Sequence, residues 1–283
     1  MENNKIKNKK KRGKRVIPGF GISIGTTLTL LSLIVLIPMA SIVMLSSGLS
    51  FHEFWQIVTV KDVVSAYKVS FSSALIAALI NCIFGIILAW VLVRYEFPGK
   101  RILDGLIELP FALPTAVAGI ALTALYSDKG WIGSIFAKAG IKIAYTKLGI
   151  IIAMVFIGIP FVVRAIQPVL EKLDGQYEEA AAMLGANGRY TFFKVIFPEI
   201  FPAMLTGFGL ALARGIGEYG SVVFIAGNIP YETQIAPLLI MTKLEQYKYT
   251  DATAIALVML IASFFILLLI NMILAYANKI TSN

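Results

Sequence analysis

The sequence predicts an all-α, polytopic membrane protein with six transmembrane helices, and three observations carry that prediction. Apolar residues make up 58% of the chain and charged residues 14%, whereas a soluble domain has about 45–50% and about 25%. Mostly apolar stretches of about the length needed to cross a bilayer, about 20 residues for about 30 Å of hydrocarbon, recur six times. Lysine and arginine collect in the segments that six crossings would place on one side.

The six stretches lie near residues 23–46, 69–93, 107–127, 147–163, 198–226 and 252–277. The second sits between Lys68 and Arg94 and the sixth between Asp251 and Lys279. The third and fourth contain Pro110, Pro114 and Pro160, which kink a spanning helix but are tolerated where neighbours satisfy the backbone. The fourth stops at Arg164, and the fifth carries Arg214 and Glu218 within it. Six crossings put both termini on one side. The segments on that side hold eight basic residues in the N-terminal tail, three in 94–109, four in 164–197 and one at the C-terminus, against two, four and two on the other side. That bias places both termini inside.

The net charge of +9 is not a nucleic-acid signal, because eight basic residues fall in the first fifteen positions and the rest is nearly balanced. Such a tail before an apolar segment sets topology and rests near anionic headgroups. The following uncharged run, from Phe20 to Phe51, is too long for the core of a cleaved signal and is read as a retained first helix. Residues 1–19 are therefore a basic cytoplasmic tail, 20–64 a first helix with an outer loop, and 65–277 the remaining membrane core, with a polar inner loop at 171–198.

The single cysteine, Cys82, and single histidine, His52, exclude a disulfide framework and any multi-histidine or cysteine-cluster metal site. Cys82 is read as a small packing residue and His52 as a solvated interface residue. Asn81 is expected to make an interhelical hydrogen bond, and Trp55, Trp90, Trp131, Tyr95 and Tyr126 to anchor at the interfaces. Lys243, Glu245, Lys248 and Asp251 form a mixed-charge outer loop, either solvated or a contact surface for a partner. There is no Gly-x4-Gly-Lys-[Ser/Thr] sequence, so no phosphate-binding loop of that type.

Two polar features carry chemistry. The inner loop reads DGQYEEAAAMLG over 174–185. Asp174 can cap a short helix with Glu178 and Glu179 near its positive end, the alanines favour helix, and Gly185 or Gly188 stops it. Tyr177, Ala181 and Leu184 share one face. This helix either packs on the bilayer surface or seats its small-residue face in a partner's groove. A second helical run, 189–197, leads through Pro198 into the fifth span. Within that span Arg214 and Glu218 are four apart and can pair. One reading is an ion pair that locks helices or subunits together. The other has Arg214 facing a translocation path, where its fork suits an oxyanion, with Glu218, Tyr219 and Ser221 shaping a gate.

The pattern Glu179-Ala180-Ala181-x3-Gly185-x9-Val195-x-Phe197-Pro198 resembles the EAA loop of binding-protein-dependent ABC importer permeases. Val195 and Phe197 stand where that family has Ile and Leu. The segments YEFPGKR (95–101), LPFALPTAVAGIALTALY (109–126), RGIGEYG (214–220) and APLLIMTKLE (236–245) resemble the sulfate/thiosulfate permease family CysT, over roughly residues 20–277. Gly-Glu-Tyr-Gly at 217–220 also resembles a segment shared with molybdate permeases. The resemblance implies a type I ABC importer permease fold and a bacterial cell membrane location. It implies that Glu178, Glu179, Ala180, Ala181, Gly185 and Pro198 couple the pore to ABC ATPase subunits, which would hold the ATP and Mg; no cofactor is expected in this chain. It implies a second related permease as heterodimer partner and an extracytoplasmic binding protein delivering sulfate or thiosulfate, with molybdate or tungstate as the alternative substrate. No nucleic-acid partner is expected. A secondary transporter or channel working alone remains the competing class. A membrane enzyme fails for want of a nucleophile–base set.

Overall fold

The apolar stretches form long helices because lipid leaves backbone groups no partner but each other. The computed structural model describes residues 20–173 and 175–281, with side chains as far as residue 277; the basic tail and the expected Asp174 cap lie outside the described residues. Twelve helices follow in order among them: α1 Phe20–Ser47, α2 Phe51–Val58, α3 Lys61–Arg94, α4 Lys100–Ala112, α5 Thr115–Tyr126, α6 Gly133–Lys138, α7 Lys147–Lys172, α8 Gln176–Met183, α9 Gly188–Ile216, α10 Val222–Ile225, α11 Ala236–Glu245 and α12 Tyr249–Thr281. Five of these, α1, α3, α7, α9 and α12, are long and apolar enough to cross a membrane, and α4 with α5 passes the same test as a bent pair, the form of a broken crossing or of a re-entrant loop.

The bundle has two ends, named here for the termini of α3. The Arg94 end carries the 95–99 turn and the α7–α9 loop. The Lys61 end carries α2, α6 and the loops around α11. At the heart, α3, α7 and α9 cross at close range. Buried small residues of α3 (Ala66, Ser70, Ala74, Ala77, Ala78, Gly85 and Ala89) line the contact, which lets backbones approach as in other membrane bundles. A Cβ on Gly207 of α9 would stand 2.7 Å from the Cα of Val162 in α7. Asn81 is buried at this crossing against Gly158, but neither of its amide atoms is hydrogen-bonded within the chain. The expected interhelical bond is absent: the amide packs against Gly158, which has no polar side chain to offer.

Three expected spans differ from those observed. The third is two helices meeting at 116°. Leu113 precedes Pro114 and is extended, with φ −86° and ψ 134°, because the proline ring crowds an α conformation there. The fourth does not stop at Arg164 but runs on to Lys172. Arg164 is tolerated because Asp104 and Glu108, one turn apart on α4, bind its guanidinium at 2.8 and 2.7 Å. The fifth ends at Ile216 rather than near 226.

Two prolines are absorbed by a local widening of their helices. Just before Pro38 in α1 and Pro198 in α9 the helix widens to a π turn, Ser32–Leu36 and Phe192–Ile196. The residue preceding each proline then bonds five residues back, Ile37 to Ser32 and Phe197 to Phe192, which opens room for a ring that lacks an N–H.

The Arg164 cluster should be a stability determinant. Arg164→Met leaves two carboxylates facing each other, and should lower the thermal midpoint in detergent by the equivalent of about 1–3 kcal/mol, between the values for exposed and buried pairs. Adding Asp104→Asn and Glu108→Gln should recover most of the loss. An unchanged midpoint in Arg164→Met would show that the cluster holds nothing.

Candidate functional site

The α7–α9 loop is built around one arginine. Arg94, the last residue of α3, donates from Nε to Glu178 Oε1 at 2.9 Å and from Nη2 to the Leu173 carbonyl at 3.0 Å. Its Nη2 also lies 2.8 Å from Glu178 Oε1. Its guanidinium carbon sits 5.7 Å from the Trp90 ring, within cation–π range, and Trp90 meets Phe192 edge-on at 5.8 Å. So the end of α3 binds the last turn of α7, the first turn of α8 and the start of α9 together. Arg94 and Glu178 are 18% and 30% exposed. That setting makes the pair worth about 1–2 kcal/mol, more than an open surface pair and less than a fully buried one.

The helix α8 begins after Gly175, which itself supplies no side-chain cap. It closes in a Schellman motif: the amide of Gly185 donates to Ala182 and that of Ala186 to Ala181. Gly185 has φ +81°, the left-handed conformation that this closure needs and that glycine adopts most cheaply. Of the two glycines foreseen as stops, Gly185 does it. Gly188 instead begins α9, whose N-terminus is capped by the Asn187 side chain accepting from the Tyr190 amide.

The two glutamates of α8 face different ways. Glu178 is turned to Arg94, whereas Glu179 and Ala180 are exposed. Met183 and Leu184 are 90% and 89% exposed, and Tyr177 and Tyr190 are also open. A hollow of about 520 Å³ lies between α8 and the bundle, lined by Val169, Lys172, Tyr177, Lys194, Val195 and Pro198. The helix thus stands away from the bundle, tethered by the Arg94–Glu178 pair, and presents an unburied apolar ridge, which is the form of a docking element.

The second candidate lies where α9 ends. Arg214 Nη1 and Glu218 Oε2 are 2.6 Å apart. The other carboxylate oxygen accepts from the Ser221 amide at 2.8 Å and from its hydroxyl at 2.9 Å. The span ends before this point: the Gly217 amide bonds four back to Ala213, the Glu218 amide turns three back to Gly215, and the Ser221 amide is committed to the buried carboxylate. Glu218 is 1% exposed and Ser221 is fully buried, while Arg214 and Tyr219 keep about a third of their surface open. The turn presses against the broken span: a Cβ on Gly119 would overlap the Ser221 backbone, and one on Gly220 would overlap the Thr115 hydroxyl. Glu218 and Ser221 therefore hold the turn in shape, and Arg214 and Tyr219 are the members with exposed surface.

Arg94, Arg164 and Asn187 were missed by reading the sequence. Arg94 and Arg164 looked like ends of apolar stretches, and their partners are 84 and 60 residues away, beyond any local pattern. The i,i+4 pair Asp104 and Glu108 was the one available signal for the second cluster. For Asn187 the signal was a capping residue followed by glycine.

A family model described as the binding-protein-dependent transport system inner membrane component matches residues 81–281. The chain belongs to that family. Within it, the sulfate transport system permease protein CysT of Escherichia coli (strain K12) is 48% identical over 258 residues, covering 91% of this chain and 93% of that protein. A probable sulfate transport system permease protein cysT from Chlorokybus atmophyticus is 52% identical over 247 residues, covering 87% of this chain and 86% of that protein. Among solved structures, a bacterial ABC transporter involved in the import of the acidic polysaccharide alginate matches with a TM-score of 0.75 at 14% identity, over 90% of this chain and 94% of that one. The MetNI methionine ABC transporter matches with a TM-score of 0.56 at 16% identity, over 81% and 99%. The fold is that of the type I ABC importer permeases.

Removing the tether tests its structural part. Arg94→Ala should speed hydrogen exchange of the amides in Gln176–Met183 by about five- to thirty-fold, the factor equivalent to about 1–2 kcal/mol, with the centre of α3 unaffected. Exchange in α8 that is indifferent to Arg94 would show the helix to be held by other contacts.

Proposed function

We propose that this chain is the membrane permease subunit of an ATP-binding-cassette importer that takes up sulfate or thiosulfate. The reading rests on family membership and on the sulfate permeases among its relatives. The single structural observation that carries it is α8, a short helix with an unburied apolar ridge, tethered through Glu178 to the end of a spanning helix.

In this reading the ridge of α8, with Glu179, Ala180 and Ala181, docks on a separate ABC ATPase subunit that binds ATP and Mg. The Gly185 turn fixes the length of the element, and Pro198 with its π turn sets how α9 leaves it. Motion of the ATPase pulls α8, and the Arg94 tether passes that motion to the ends of α3 and α7 together. Because α3, α7 and α9 interlock through backbone-close contacts, they move as one body. The turn at Arg214–Ser221 sits far along α9 and rides on that body.

Arg214 supplies a cation beside the path, half-compensated by Glu218. A compensated arginine attracts a dianion without holding it, which suits a pore that receives substrate from a binding protein and must release it. The partners in this reading are two ATPase subunits, a second related permease in a heterodimer, and an extracytoplasmic sulfate-binding protein. Both termini and the Arg94 end face the cytoplasm of the bacterial cell, in line with the basic residues of the tail and of the segments at that end.

The test is reconstitution of the chain in proteoliposomes with its ATPase, second permease and binding protein, measuring uptake of radiolabelled sulfate. ATP-dependent uptake should fall at least ten-fold in Gly185→Val and in a Met183→Glu/Leu184→Glu double variant, with the ATPase dissociating more readily. Uptake without any ATPase subunit would overturn the reading in favour of a stand-alone carrier. Uptake of labelled molybdate but not sulfate would keep the machine and change its substrate.

A further inference from the structure

Three short helices, α6, α8 and α11, end in the same Schellman closure. In α6 the amides of Gly140 and Ile141 donate to Ala137 and Phe136, in α8 those of Gly185 and Ala186 donate to Ala182 and Ala181, and in α11 those of Tyr247 and Lys248 donate to Leu244 and Lys243. The closure needs a left-handed residue. Two of the three use glycine, Gly140 at φ +75° and Gly185 at φ +81°; the third uses Tyr247 at φ +60°. A tyrosine there sets its Cβ against a carbonyl oxygen, a strain that glycine avoids.

The other non-glycine residues with positive φ are Tyr145, Asn228 and Tyr231, and each is held by contacts to other parts of the chain. The Tyr145 amide donates to the Ile225 carbonyl at 2.7 Å, Asn228 accepts from Gln234 Nε2 at 3.0 Å, and the Tyr231 carbonyl accepts from the Ser65 hydroxyl at 2.9 Å. Tyr247 has a different setting. Its side chain is 79% exposed, and its ring meets Tyr249, 56% exposed, at 6.3 Å. The strained position displays two aromatic rings outside the fold.

Their height decides what they can meet. A 20-residue crossing centred on residue 265 of α12 puts Tyr249 about 9 Å beyond the hydrocarbon edge. A crossing of α3 centred on residue 81 puts Asp62 about 13 Å beyond it, and Asp62 lines the same hollow as Thr250 and Asp251. The headgroup layer adds only about 5–8 Å on each side. Tyr249 therefore stands at the outer limit of the headgroup layer, with Tyr247 beside it in the preceding loop, near Glu245, Lys248 and the ion pair of Lys243 with Asp251. Exposed tyrosines rimmed by charges suit the anchor of a protein–protein contact.

We infer that Tyr247 and Tyr249 form an anchor for a soluble protein on the Lys61 end of the bundle, namely the binding protein that delivers the anion. This rests on the importer reading and locates one of its partners. Strain tolerated at a helix closure is a reason to look for function rather than packing.

The experiment measures ATPase stimulation of the reconstituted full complex by sulfate-loaded binding protein, titrated for wild type, Tyr247→Gly and Tyr247→Trp, with thermal midpoints of each. For Tyr247→Gly the midpoint should be unchanged or raised, the basal ATPase rate unchanged, and the binding-protein concentration for half-maximal stimulation at least five-fold higher. Tyr247→Trp should keep wild-type stimulation. A half-maximal concentration in Tyr247→Gly equal to wild type would overturn the inference. So would a joint fall in midpoint and basal rate, which would assign the ring to lipid or to the bundle. Absence of any stimulation in the wild type is a separate result, which refutes the importer reading itself.

Discussion

Arg94 is the point where the membrane part and the loop become one mechanical object. Its guanidinium takes the last carbonyl region of α7 through Leu173 and the first turn of α8 through Glu178, while stacked near Trp90. An arginine can do this because its donors lie in a rigid plane and reach two acceptors at fixed angles. A lysine in the same place would be a point charge on a flexible stem. Without the tether, α8 would be a short helix of eight residues, below the length at which an isolated helix is stable in water.

Above that point the rigidity comes from backbone proximity. Lipid gives no hydrophobic drive to bring spanning helices together, so packing and close approach must do it. Gly85, Gly158 and Gly207 stand where a Cβ would strike Val162 or Asn81, and α3, α7 and α9 share one buried core. A body packed this closely transmits displacement instead of absorbing it. At its far end, buried Glu218 is satisfied on both oxygens by Arg214 and Ser221. An ionised group inside a span is otherwise costly, so the turn that supplies those donors is as much a requirement of the charge as a product of the chain.

Much of the architecture was legible in the sequence. The six crossings, the short helix at 176–183, its Gly185 stop and the pairing of Arg214 with Glu218 follow from hydropathy, propensity and i,i+4 spacing. These are local rules that need only neighbouring residues. The errors came where an apolar stretch was equated with one straight helix. Arg164 was taken as a boundary because a charge inside hydrocarbon is expensive; it lies inside because α4 brings it two carboxylates. The fifth span was carried to 226 because residues 219–226 are apolar or small, yet the helical ladder ends at Ile216 and Glu218 turns back to bond Ser221.

The sequence by itself determined that this chain crosses a membrane six times and carries one polar helix between its fourth and fifth crossings. Burial of apolar residues and the satisfaction of backbone groups within a helix are properties of each segment alone. Only the tertiary structure decided which charges are tethers, which glycines are contacts and which tyrosine is displayed under strain. Those depend on atoms brought together from distant positions, such as Arg94 with Glu178, 84 residues apart, and Gly119 with Ser221, and on the height of each residue in the bundle, neither of which is a property of any one segment.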